Sequence, residues 1–473
     1  MTKGINKYVK ATTFYILGNG IGQGIVFLSS SVFTRIMSKD DFGLYGNYYS
    51  IVSILATLVG SNLFMGLNIA YIDHKDDIKR YRSSNLFLST IVLIIVAVIS
   101  LVINCFLPEP WPLLIVLFAL LHAYGFFVIN YFNNSANMEN KYIARTIMLM
   151  IPNILQIGLS ILFILYLPLS DMYSRVIGSV CGIFGCGIVL YFIMMKQGKC
   201  LYNKTYWNYG LKVSVPSVLS SISYMIMINL DNVMVTNFKG ASDAATYIFI
   251  YNIGYILYAI TQATGSTLQA WLYNILSSGN TQNAKRVQKW YLLIFDVFAI
   301  GLLMISPEII KIMSPESYWS FEYVGPFVIG SYLMVMYNFY SIVGEFHKKN
   351  MILSIFVCIA AVVNTVSNFF LIPIYGGLAA SLTTVFSYIL LFFLMRGLCQ
   401  KLNKNLFSDK LFIVSFSIVV ACTVIYEFVH SMIFARYIIF MVILLLITIY
   451  TLTKRSEWIG IIKQRQDQKN ENS

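Results

Sequence analysis

The sequence predicts an all-α polytopic membrane protein. Fourteen transmembrane helices form two parallel, pseudo-symmetric six-helix lobes around a central cavity, with two extra C-terminal helices. Three observations carry this. The 473 residues are 58% hydrophobic and 11% charged, whereas a soluble chain keeps about a quarter of its residues charged. Apolar runs of about 20 residues, enough to cross about 30 Å of hydrocarbon, recur from end to end. Residue matches also recur at a constant offset of 202, the mark of an internal repeat.

The first run, 11–36, follows a basic N-terminal segment. It is too long for a signal-peptide core and lacks a small-x-small cleavage site, so it reads as a membrane helix. Runs 43–70, 83–107, 113–134, 146–167 and 173–195 complete the first half. Runs 213–237, 244–275, 290–312, 322–344, 351–373 and 376–399 form the second, and 411–430 and 435–453 are the addition. The N-terminal lobe is then 1–200, the C-terminal lobe 201–400, the extension 401–455 and a polar cytoplasmic tail 456–473. Runs 43–70 and 244–275 are long, so they are expected to tilt, bend or project.

Charge fixes the expected orientation. With the N-terminus in the cytoplasm, 27 of the 33 Lys and Arg residues fall on cytoplasmic segments, as the positive-inside rule requires. One missed helix would scramble that alternation. The net charge of +13 is therefore mostly topology, and no nucleic-acid partner is implied. Both termini are expected in the cytoplasm, in the cytoplasmic membrane. The seven cysteines are scattered, without metal-site or disulfide spacing. Loops are short, which leaves no extramembrane domain for chemistry; an enzyme is not expected.

At the offset of 202, Lys10 meets Lys212, Asp41 meets Asp243, Tyr45 meets Tyr247, Tyr49 meets Tyr251 and Tyr71 meets Tyr273. An even number of helices separates the copies, so they run parallel, about an axis along the membrane normal. Polar residues gather on the matching spans. Asn19, Gln23 and Ser30 share one face of the first. Ser217, Ser221, Tyr224 and Asp231 share a face of the seventh, with Asn229 and Asn232 beside them. Gln262, Ser266 and Gln269 do the same on the eighth. In lipid such groups face partners or a water-filled cavity. A four-helix cavity lining and a set of helix–helix hydrogen bonds are the two readings.

Asp231 is the one plausible central carboxylate, and an acid inside a membrane is costly and functional by default. It is expected to bind a proton or sodium ion, or to pair with Arg35. Arg35, closing the first span, either attracts phosphate or snorkels to headgroups. Asp296 reads as a neighbour of Arg286 or Lys289, and His122 as a hydrogen-bonded structural residue. Arg175 is assigned to a span end, where water suffices. Gly18-x-Gly20-x-Gly22-x-Gly24 follows no strand, so it is a helix-packing motif, not a dinucleotide loop.

Three stretches resemble a known family. Phe33-Thr-Arg-Ile-Met-Ser-Lys-Asp-Asp-Phe-Gly-Leu-Tyr45 is similar to the first-loop signature of bacterial polysaccharide transporters. Asp231 through Tyr247 resembles its echo, and Asn364-x-x-x-Asn368 through Gly377 and Thr383 resembles the C-terminal motif. The family is the Wzx-type flippases, the polysaccharide transport branch of the MOP superfamily, related to MATE exporters and lipid II flippases. The resemblance implies a V-shaped pair of lobes. It also implies a substrate, an undecaprenyl-pyrophosphate-linked oligosaccharide (a repeat unit of O-antigen, capsule or exopolysaccharide) carried to the outer face. A polysaccharide polymerase and a chain-length regulator are the implied partners, beside membrane lipids. No cofactor is expected beyond H+ or Na+ as coupling ion. In this reading Asn19, Gln23, Ser221, Asn229, Asn232, Gln262, Ser266 and Gln269 line the path, and Arg35 attracts pyrophosphate. The alternatives are a MATE-like multidrug or cation antiporter, whose cavity would be more aromatic and acidic, and a lipid II flippase. The chain has few arginines inside its first two spans, which departs from the latter.

Overall fold

The computed structural model describes residues 22, 24–107, 110–139, 141–279 and 281–453, apart from the side chains of residues 216 and 281. Among these residues the regular structure is entirely helical. α1 (Gly24–Ile36) is the described part of the first expected span. The first lobe continues with α2 (Lys39–Gly60), α3 (Leu63–Asp73), α4 (Ile78–Cys105), α5 (Leu113–Met138), α6 (Tyr142–Tyr166) and α7 (Asp171–Gly198). The second holds α8 (Lys204–Lys239), α9 (Ala241–Ser278), α10 (Thr281–Met313), α11 (Val324–Phe346), α12 (Asn350–Tyr375) and α13 (Gly377–Leu402). α14 (Asp409–Val429) and α15 (Ile433–Thr453) follow. Thirteen spans among the described residues are long and apolar enough to cross a membrane, the α2–α3 pair counting as one. This is a multi-pass membrane protein.

The halves repeat their packing. α5 packs on α7 as α11 packs on α13, α6 on α7 as α12 on α13, and α2 on α5 as α9 on α11. α14 adds to the second lobe against α10 and α11, and α15 lies on α10 and α14. Most of α15 presents Ile, Leu and Met outward, but Arg436 is buried. It donates to Glu308 at 2.5 and 2.7 Å and to the Met304 carbonyl. That ion pair anchors an otherwise lipid-facing helix to α10.

The two long expected spans behave differently. The second breaks at Ser61 and Asn62, both at positive φ, into α2 and α3. Asn62 bridges the break to α8, donating to the Ser217 carbonyl at 2.8 Å and Ser221 Oγ at 2.6 Å. The eighth runs unbroken as α9 for 38 residues, about 57 Å at 1.5 Å per residue. α8 begins nine residues before the expected 213, because Asn203 Oδ1 caps the Thr205 and Tyr206 amides. Its first turns pack on the first lobe: Trp207 Nε1 donates to the Ser84 carbonyl at 3.0 Å. The segment expected as a cytoplasmic loop is thus partly a helix docked on α4.

Arg82 and Glu139 pair at 2.9 Å with Tyr71 and Ser135 around them. This ties α3, α4 and α5 together at the α3–α4 end. Asp296 is buried midway along α10, where it accepts from Tyr332 Oη at 2.5 Å and Ser415 Oγ at 2.7 Å. Arg286 and Lys289 are not its partners. The expected pairing fails because α10 starts about ten residues before the expected span.

Candidate functional site

The lobes meet where α2 and α9 begin. A Cβ on Gly43 would lie 1.9 Å from the Ala241 carbonyl oxygen, and one on Gly46 would lie 2.4 Å from Ile248 Cδ1. At Gly43 the obstacle is backbone, so only glycine permits that approach; at Gly46 it is the end of a flexible side chain. At the same end Lys39 Nζ reaches the Ser317 carbonyl at 2.7 Å, and the Phe42 and Tyr318 rings meet edge to face at 5.6 Å. Below this seal α2 and α9 part, and a cavity of about 590 Å³ opens between the lobes.

Amides and hydroxyls make much of its wall: Ser50, Ser53, Thr57 and Asn62 from the first lobe, Ser221, Asn229, Asn232 and Asn252 from the second. Asn232 donates to Ser50 Oγ at 2.9 Å across the lobes, and its side-chain Oδ1 is buried without a partner. The wall holds one cation among the described residues, Arg175, and no carboxylate. The Arg175 guanidinium lies between two rings, 3.7 Å from the centroid of Phe33 and 3.8 Å from that of Tyr45. Cation–π attraction holds it there, and Tyr45 is itself fixed by Ser179 Oγ at 2.8 Å. No described carboxylate pairs with Arg175, and its Nε has no hydrogen-bond partner.

The expected site residues separate into groups. Ser221, Asn229 and Asn232 line the cavity. Gln262 and Ser266 lie outside it but continue the α9 face that carries Tyr251, Tyr255 and Tyr258. Both are exposed, and they carry the α9 face on toward the α3–α4 end. Gln269, on the same face, donates to Glu345 Oε2 at 2.9 Å. Asn19 and Gln23 lie outside the described residues. Arg35 is not in the cavity. It donates to the Ile312 carbonyl at 2.5 Å and the Met313 carbonyl at 3.1 Å, clamping α1 to the end of α10. The end of a helix offers unpaired carbonyls, and those, not a phosphate or Asp231, satisfy Arg35.

Asp231 also lies behind the cavity wall, inside the second lobe. Its Oδ1 accepts from Asn368 Nδ2 at 2.6 Å. Its Oδ2 accepts from Thr384 Oγ1 at 2.7 Å and Tyr247 Oη at 3.2 Å. Thr383 donates to Asn368 Oδ1, and Asn368 Nδ2 also reaches Asn364 Oδ1 at 3.2 Å. A void of only about 20 Å³ adjoins this cluster. The acid is 3% exposed, and its hydrogen-bond partners among the described residues are two hydroxyls and an amide, with no Lys or Arg among them. Such an oxygen-rich shell suits a small hard cation or a proton.

Sequence reasoning missed Arg175 and gave Asn368 and Thr384 no role. Arg175 and Ser179 stand one turn apart on α7, which was a readable stripe. Asn368 and Thr384 lie eight residues on either side of Gly376, the hinge between α12 and α13. They therefore share one depth in the helical hairpin.

Two parallel lobes closing over a polar cavity define a transporter-type fold, and known structures share it. The lipid II flippase MurJ, in an inward closed conformation, superposes with a TM-score of 0.72 at 14% identity, over 94% of this chain and 99% of that one. An inward-facing multidrug resistance MATE family transporter of the MOP superfamily gives 0.57 at 15% identity, over 81% and 96%. An outward-facing one gives 0.54 at 14%, over 84% and 97%. Residues 8–269 match the model of the polysaccharide biosynthesis protein family, and the chain belongs to that family. A comparison with curated protein sequences gives no match.

Proposed function

We propose that this protein is a flippase. It moves an undecaprenyl-pyrophosphate-linked oligosaccharide, a repeat unit of O-antigen, capsule or exopolysaccharide, from the inner to the outer face of the cytoplasmic membrane. The observation that carries this reading is the cavity's chemistry: one guanidinium, many amides and hydroxyls, and no carboxylate among its described lining residues. Moving a pyrophosphate and its sugars bare through hydrocarbon is prohibitive. Here Arg175 takes the pyrophosphate in charge-assisted hydrogen bonds, the polar walls replace water around the sugars, and the prenyl tail stays in lipid. With the termini cytoplasmic, the closed end carrying Gly43 faces outward and the α3–α4 end inward. Rocking of the lobes about this seal gives alternating access. A polysaccharide polymerase and a chain-length regulator then receive the product.

The coupling site in this proposal is Asp231. A proton or sodium ion enters its shell of Asn364, Asn368, Thr383 and Thr384 and so shifts the packing of α8 against α12 and α13. One charge moved across 100 mV supplies about 2.3 kcal/mol, enough to bias such an equilibrium.

A multidrug antiporter shares the fold, but a cationic substrate needs an acid where this cavity has Arg175. A lipid II flippase shares the substrate's lipid and pyrophosphate. Analysis of lipid extracts separates all three. Cells lacking the protein should accumulate one lipid-linked oligosaccharide, cleared by the wild-type gene and not by Arg175→Ala. Accumulation of the peptidoglycan precursor would make it a lipid II flippase. Normal lipids with heightened sensitivity to cationic drugs would overturn the flippase reading.

A further inference from the structure

The repeat offset that pairs the lobes also exposes where they differ. Positions 49 and 251, 53 and 255, and 56 and 258 are each 202 apart, and all six residues line the cavity. The first pair is Tyr and Tyr. The next two are Ser53 against Tyr255 and Ala56 against Tyr258. At these last two places the first lobe thus presents small side chains where the second presents rings.

The ladder is ordered. The Tyr251 and Tyr255 rings lie 5.8 Å apart, and Tyr255 and Tyr258 lie 4.5 Å apart at 42°. Gln262 Nε2 donates to Tyr258 Oη at 2.6 Å, which fixes the lowest ring. Across from it, Ser53 and Thr57 bond only the carbonyls of Tyr49 and Ser53 one turn back, at 2.9 and 3.2 Å. Their oxygens can still accept. From Tyr251 to Tyr258 the wall spans about 10 Å, room for about two sugar rings.

A slot with rings on one side and small hydroxyls on the other matches a pyranose. One face of such a sugar is a patch of C–H groups, and its rim is hydroxyls. Tyrosine supplies a rigid apolar body with a polar tip. We infer that Tyr251, Tyr255 and Tyr258 form the sugar subsite, stacking the first sugars beyond the pyrophosphate while Ser53 and Thr57 bond their rims. This rests on the flippase reading and sharpens it. Arg175 holds the part common to all such lipids, and the ladder reads the sugar.

The test uses full-length protein in lipid nanodiscs and two probes. One is undecaprenyl pyrophosphate without sugars, and the other is the lipid-linked oligosaccharide extracted from cells lacking the protein. Wild type should bind the sugar-bearing probe at least about tenfold tighter, a difference of about 1.4 kcal/mol. The double variant Tyr255→Ala and Tyr258→Ala should lose that preference and keep its affinity for the bare probe. The Phe double variant should retain it, since stacking needs the ring and not the hydroxyl. Ser53→Phe fills the slot from the opposite wall, so it should abolish the preference with the ladder intact. Preference surviving in the Ala double variant or in Ser53→Phe would overturn the sugar subsite. So would displacement of the sugar-bearing probe by ethidium, which would make the ladder a site for cationic aromatics. If wild type binds neither probe, the flippase reading itself falls.

Discussion

Tyr45 and Tyr247 occupy equivalent places in the two lobes and keep opposite company. Tyr45 stacks on Arg175 and bonds Ser179. Tyr247 donates to Asp231. The first cluster forms part of the wall of a 590 Å³ cavity, while the second adjoins a void of about 20 Å³. A repeated fold has thus put a cation where a ligand can reach it and an anion where only something small can. The cation is held by ring faces, which an anionic ligand can replace. The acid is held by three donors, so it has no free capacity for a large substrate. In the proposed mechanism it acts on transport through the packing of α8, α12 and α13.

The largest expected effect comes from removing the charge in the cavity wall. Arg175→Ala should lower affinity for undecaprenyl pyrophosphate by about a hundredfold, the loss of charge-assisted bonds worth about 3 kcal/mol. Arg175→Lys keeps the charge but loses the planar stack and the fork, and about tenfold should be lost. Titration in nanodiscs measures both. Full affinity in Arg175→Ala would remove the first lobe's part in the comparison.

Asp231→Asn should do the reverse. Substrate affinity should stay within about threefold of wild type, while flipping in proteoliposomes loses its dependence on a sodium or proton gradient. The amide keeps most of the shape and removes the charge that a gradient acts upon. If gradient dependence persists unchanged in Asp231→Asn, the coupling ion binds elsewhere.

The contrast between the lobes also separates what the sequence makes legible from what it does not. Span positions follow from hydrocarbon thickness, so composition alone reveals them, and the 202-residue offset reveals the parallel halves. The partners of polar side chains depend on which helices become neighbours. Arg175 sits only four residues into α7, a depth at which water is a reasonable expectation. The structure instead covers it with Phe33 from α1 and Tyr45 from α2. Arg35 stands equally near a span end and meets the carbonyls of α10. Asp231 stands nine residues before Gly240, about the depth of Asn368 and Thr384 around Gly376. Depth is readable from such counts. That α8, α12 and α13 share a face is not, and without it the acid looks like a cavity residue.

The smallest effect gives the cleanest comparison, because it deletes the same group from both clusters. Thr384→Val removes the hydroxyl that donates to Asp231 Oδ2 at 2.7 Å. Asp231 is 3% exposed and keeps only the Asn368 and Tyr247 donors, so losing a bond to this charged group should cost about 1–3 kcal/mol of stability. Ser179→Ala removes the hydroxyl bonded to Tyr45 at 2.8 Å. Ser179 and Tyr45 both line the cavity, so water can take the vacated place and the loss should stay under about 1 kcal/mol. Denaturant unfolding in one detergent compares the two directly. Equal losses would mean that the clusters are equally dry. In that case Arg175 could not exchange its aromatic box for a phosphate at low cost, and the division of labour between the lobes would fail with it.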